Sequence, residues 1–88
     1  MENEKKTFDT PDPYFASVLT ITLRQEPEYV SRNKKIIFRY IASDDLYKTM
    51  NLYVSGTLQL KAIELVETIK RIRGEMLSKR NVGDYSGR

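Results

Sequence analysis

Two clusters of cations are the side chains whose type and spacing most suggest chemistry. Residues 69–80, IKRIRGEMLSKR, set Lys70, Arg71, Arg73, Lys79 and Arg80 against the single acid Glu75. Arg32, Lys34, Lys35 and Arg39 lie in a stretch with no acidic residue between positions 29 and 43. The net charge of the 88 residues is only +3, and residues 1–60 balance eight Lys/Arg with eight Asp/Glu. All of the surplus therefore falls in residues 61–88. Cations grouped in this way suit the backbone of a nucleic acid, and binding of that kind would weaken steeply with salt.

Catalysis finds less support. The chain has no His and no Cys, which removes an imidazole base, a His-containing triad, a thiolate or imidazole metal site and a disulfide framework. Each acidic pair has a structural explanation. Asp44/Asp45 suit the positive end of a helix dipole, Glu64/Glu67 fall on the polar side of the last helix, and Glu26/Glu28 flank Pro27 at a strand entry. Gly56, Gly74, Gly83 and Gly87 are scattered and form no phosphate-cradling loop. The expectation is a protein that is not an enzyme and holds no cofactor or metal.

The elements that must position the cations follow from caps and periodicity. TFDT (7–10) reads as a very short strand turning Phe8 inward. In TPDPYFASVLTITL, Asp12 suits an N-cap and Pro13 a first helical residue, with Phe15, Val18, Leu19 and Thr22 at helical spacing. Its β-branched end makes a strand the rival reading. EPEYVSRNKKIIFRYIA (26–42) reads as a hairpin with Pro27 at the entry of an edge strand and Asn33 suited to a positive φ. The second strand sets Ile36, Phe38 and Tyr40 on one face and Ile37, Arg39 and Ile41 on the other. That other face is apolar enough to need cover, from the N-terminal segment or a second subunit.

Ser43 caps a helix with Leu46, Met50, Tyr53 and Val54 inward and Gly56 at its end. TLQL is a connector. The last helix runs from about Lys61 to Arg80, with Ala62, Leu65, Val66, Ile69, Ile72, Met76 and Leu77 within an arc of about 140° and Gly74 weakening or bending it. Pairing along its polar side, such as Glu67 with Lys70 or Arg71, accounts for much of its charge without a ligand. Arg73 falls inside the apolar arc and fits that account less well: it snorkels, pairs with a buried carboxylate, or marks an anion-binding surface. Lysines on the hairpin have a bland reading too, as guards of a sheet edge.

The fold class expected is α+β, a small single domain in the order (β)αββαα, with an antiparallel hairpin packed against two or three helices. Residues 1–6 are expected as a flexible tail, 7–80 as the domain and 81–88 as a second flexible tail. The start lacks the apolar stretch of a signal peptide and no apolar run approaches about 18 residues, so a cytoplasmic protein without a membrane is the expectation.

FDTPDPYFA, IIFRY, YVSG and LKAIELVETIKRIR together resemble a small family, described as a domain of unknown function, from bacterial, phage and mobile-element genomes. The likeness extends over roughly residues 7–77, with Thr10, Asp12, Phe38, Tyr53, Gly56 and Ala62 at the matching positions. It implies an accessory protein without catalytic residues. The leading functional expectation is a small non-catalytic binding module, an accessory or regulatory protein of a phage or mobile element. It would contact DNA or RNA, or a nucleic-acid-bound complex, through Arg32, Lys34, Lys35, Arg39, Lys70 and Arg73. The alternative is a protein–protein adaptor or inhibitor, such as an anti-defence factor, acting through Tyr29, Ile37 and Ile41. A homodimer is a further expectation for that face. The two readings part on whether the cations share one face.

Overall fold

The computed structural model describes residues 6–86, with side chains described over 6–80. The chain folds as β1 (Thr7–Thr10), α1 (Pro13–Leu23), β2 (Glu28–Arg32), β3 (Lys35–Ile41), α2 (Asp44–Ser55) and α3 (Ala62–Ser86). This is the α+β order expected. The tail expected over 1–6 lies, but for Lys6, outside the described residues.

Local chemistry sets each boundary. The Asp12 carboxylate accepts from the Tyr14 N–H at 2.9 Å and Pro13 occupies the first helical position, so α1 starts as a helix despite its β-branched end. Ser43 accepts from the Leu46 N–H at 3.1 Å, and Gly56, at φ 77°, closes α2 in the left-handed region. Asn33 and Lys34 have φ of 53° and 66°. Two successive positive φ values define the tight I′ turn that matches the twist of a hairpin.

The three strands form one antiparallel sheet in the order β1-β3-β2. Thr7 faces Ile41 and Asp9 faces Arg39 across β1 and β3, while Glu28, Val30 and Arg32 of β2 face Arg39, Ile37 and Lys35. These residues make up the outer face of the sheet. Phe8, Tyr29, Ile36, Phe38 and Tyr40 occupy the inner face, beneath the helices. There the core gathers Phe15, Ala16, Val18 and Leu19 of α1, Leu46 of α2 and Ile72 of α3, with Leu58 and Leu60 of the connector packed against it. Seven consecutive residues of α1, Phe15 to Ile21, are buried. Its hydroxyls are accordingly satisfied: Ser17 donates to the Pro13 carbonyl at 2.8 Å and Thr22 to that of Val18 at 2.9 Å.

The structure corrects the helical readings in extent. α3 runs unbroken through Gly74 to Ser86, so residues 81–86, assigned to a tail, are helical, while 87–88 lie outside the described residues. Of its apolar arc only Ile72 is buried, and Ala62, Val66 and Leu77 are exposed. In α2, Leu46 is buried as expected, but Thr49 takes the second inward place and Val54 is 77% exposed. Three short strands do not offer enough inner surface to cover every apolar position that periodicity points inward.

Candidate functional site

The register of β1 against β3 sets Asp9 directly opposite Arg39. Arg39 donates from Nε to Asp9 Oδ1 at 2.9 Å and from Nη2 to Oδ2 at 3.0 Å, a two-pronged pair on the outer face. These hydrogen bonds hold the Asp9 carboxyl below the usual carboxylate range, against an opposing push from burial, with the charges of Arg39 and Arg32 adding to the lowering. The same bonds raise the pKa of Arg39. Arg32 stands 3.7 Å from Asp9 and stays largely in solvent. Lys34 and Lys35 are exposed at the hairpin tip.

The second cluster disperses along α3. Arg73 is exposed, donates from Nη1 to the Tyr14 hydroxyl at 2.9 Å and lies 6.0 Å from the centre of its ring. Its partner is thus an exposed aromatic side chain. Lys70 is exposed on the helix. Arg71, read from the sequence as a partner for Glu67, instead grips Glu26 with two bonds of 2.9 Å. That pair spans 45 residues, and nothing in local spacing signals it. Lys79 lies 5.1 Å from the ring centre of Tyr29.

The two clusters therefore do not share a face. Arg32, Lys35 and Arg39 belong to the outer face of the sheet by register, whereas α3, with Lys70 and Arg73, packs against the inner one through Ile72. The expected protein-contacting residues separate as well. Ile37 is half-buried and Ile41 is 45% exposed on the outer face. Tyr29 turns inward, edge-on to Phe38 at 5.5 Å, with its hydroxyl buried and without a hydrogen-bond partner among the described residues. Burial is the main cause that raises its pKa, with Glu75 and Glu26 adding.

Beneath the sheet the Tyr40 hydroxyl donates to the Ala16 carbonyl at 2.6 Å. With that proton committed, the Thr20 hydroxyl at 2.9 Å is the donor to Tyr40. Burial pushes the Tyr40 phenol up to about 12. This network fastens α1 to β3 and is structural.

Sequence reasoning missed a set of exposed apolar side chains, because periodicity assigned some of them to the core. Leu52, Tyr53 and Val54 end α2, Ile63 and Val66 begin α3, and all five are exposed, Ile63 at 66%. Tyr14 and Tyr47 are exposed too. Two open grooves mark the surface. One of about 440 Å³ runs beside Thr22, Ser43, Asp45, Lys48, Thr49 and Leu52. The other, of about 270 Å³, is lined by Thr20, Arg24, Glu26, Glu64, Thr68 and Arg71, and its charges pair as Arg71–Glu26 and Arg24–Glu64. Among the described residues no group of three or more acidic side chains is placed to hold a metal, and no helix is long and apolar enough to cross a membrane.

No family model matches the chain, and searches of curated proteins and of solved structures return no match.

Proposed function

We propose that the chain is a small binding module whose partner is another protein, engaged through the apolar surface on either side of the α2–α3 connector. The observation that supports this most is the exposure of Leu52, Tyr53, Val54, Ile63 and Val66 on two successive helices. Single apolar residues are normal on any surface, and what favours this reading is that five of them fall on the helix turns flanking one connector. The nucleic-acid reading draws less support, because the sheet separates the two cation clusters and Arg39 and Arg71 are already bound to carboxylates.

The test compares the wild-type chain with a Val54→Asp/Ile63→Asp variant in affinity capture, alongside DNA and RNA oligonucleotides at two salt concentrations. A protein retained by the wild type and lost by the variant, with thermal unfolding unchanged, supports the reading. Salt-sensitive oligonucleotide binding that survives the double variant and disappears in Arg32→Glu/Lys34→Glu/Lys35→Glu overturns it.

A further inference from the structure

The edge of the sheet carries an inference independent of the helical surface. Among the described residues β2 has a strand neighbour on one side only, since the order is β1-β3-β2. In a hairpin closed by a two-residue turn, the pair flanking the turn is hydrogen bonded and bonded pairs then alternate. Arg32, Val30 and Glu28 therefore point their N–H and C=O groups at β3, and Ser31 and Tyr29 point theirs at the open edge.

The side chains of β2 are ordered by charge. The base of the hairpin carries the acid Glu28, with Glu26 before it already gripped by Arg71, and its tip is basic, with Arg32, Lys34 and Lys35. A second copy laid antiparallel along β2, with a two-fold axis at Val30, satisfies both patterns together. Tyr29 then meets Ser31 of the other copy in a bonded pair, twice, which uses the outward N–H and C=O groups of all four residues. Glu28 meets the other copy's Arg32, also twice, and each basic tip lies beside an acidic base. Val30 meets its own counterpart in the close, non-bonded position, and Ile37 beside it continues an apolar stripe across the outer face. A parallel arrangement would set like charges together. The opposite edge offers no such match, because β1 carries a single charge, Asp9, and has no opposite charge to alternate with it.

We propose that two copies of this chain pair antiparallel through β2, joining their sheets into one of six strands. The dimer is held by backbone bonds along the edge and by the reciprocal Glu28–Arg32 pairs.

The test uses the full chain, which lacks cysteine, so that a single introduced thiol reports proximity. Val30→Cys is expected to form a disulfide-linked dimer on mild oxidation, because the two positions face each other at the axis. Ile37→Cys is the control: three strand spacings, about 14 Å, separate the two copies of that residue, beyond the reach of a disulfide. Sedimentation is expected to show mass rising from one chain to two with concentration. Arg32→Glu or Glu28→Lys alone weakens the dimer by about tenfold, and the two together restore it. A chain that stays monomeric with no Val30→Cys disulfide overturns the proposal. So does a dimer that the single charge reversals leave intact and Val54→Asp/Ile63→Asp dissolves.

Discussion

α1 and α3 pack against each other, yet they live at different depths. α1 buries seven consecutive residues, whereas over residues 62–80 α3 buries one, Ile72. α1 is the more apolar of the two, and its surroundings widen the difference. α1 is enclosed by the sheet, by α2 and by α3, so even Ser17 and Thr20 are buried and must find hydrogen-bond partners inside. α3 lies at the flank and meets the core along a single line. Periodicity states which side of a helix turns inward; the neighbours decide how much of that side is covered.

The largest effect that could break this comparison is on Ile72. Ile72→Ala should cost about 2–5 kcal/mol, while Val66→Ala, from the same apolar arc, should stay within about 0.5 kcal/mol. Urea unfolding of both variants checks it, and equal losses would mean that Val66 is covered after all.

Next comes the hydroxyl network that fastens α1 to β3. Tyr40→Phe should cost about 1–3 kcal/mol, because it strips a partner from the Ala16 carbonyl and from Thr20. The phenol's pKa is raised in the fold, from 10 to about 12, so the unfolded chain loses that proton first as pH rises. Stability from this group is complete below pH 10 and falls between pH 10 and 12. Circular dichroism across that window should show a smaller decline in Tyr40→Phe than in the wild type.

Smaller still is the gain at Gly74. It lies within α3 with open space where a Cβ would sit, so Gly74→Ala should stabilise the chain by about 1 kcal/mol, seen as a higher urea midpoint. A loss instead would show that the exposed side of α3 is in contact with something.

The smallest effect concerns Asp9. Its depressed pKa means that the Arg39 pair stabilises the fold above the ordinary carboxylate value of 3.8 and is lost as pH falls through the lower, folded value. Asp9→Asn should lower the urea midpoint at neutral pH and show a shallower decline toward acid.

Much of the architecture was legible in the chain because its signals are local. Asp12 with Pro13, Ser43, Gly56 and Asn33 each declare a boundary through their own backbone or side-chain chemistry. Alternation along Ile36–Ile41 declares the two faces of β3, and Ile36, Phe38 and Tyr40 are buried as it requires. The candidate surfaces were less legible because they depend on distant partners. Arg39 finds Asp9 across 30 residues and Arg71 finds Glu26 across 45, so the charge available for a ligand could not be counted along the chain. Val54 and Val66 were mistaken for core because an 88-residue chain offers fewer neighbours than its apolar pattern asks for.

The burial of Ile72 also bears on how the protein is made. The seven buried residues of α1 are complete once Ile21 has been added. The side chain that α3 sets into that core is added fifty-one residues later, since 72 less 21 is 51. Translation adds about 5–20 residues per second, so a nascent chain carries its most apolar helix without its final cover for some seconds. During that interval the buried side of α1 is open to aggregation, and the arrival of Ile72 in α3 closes it.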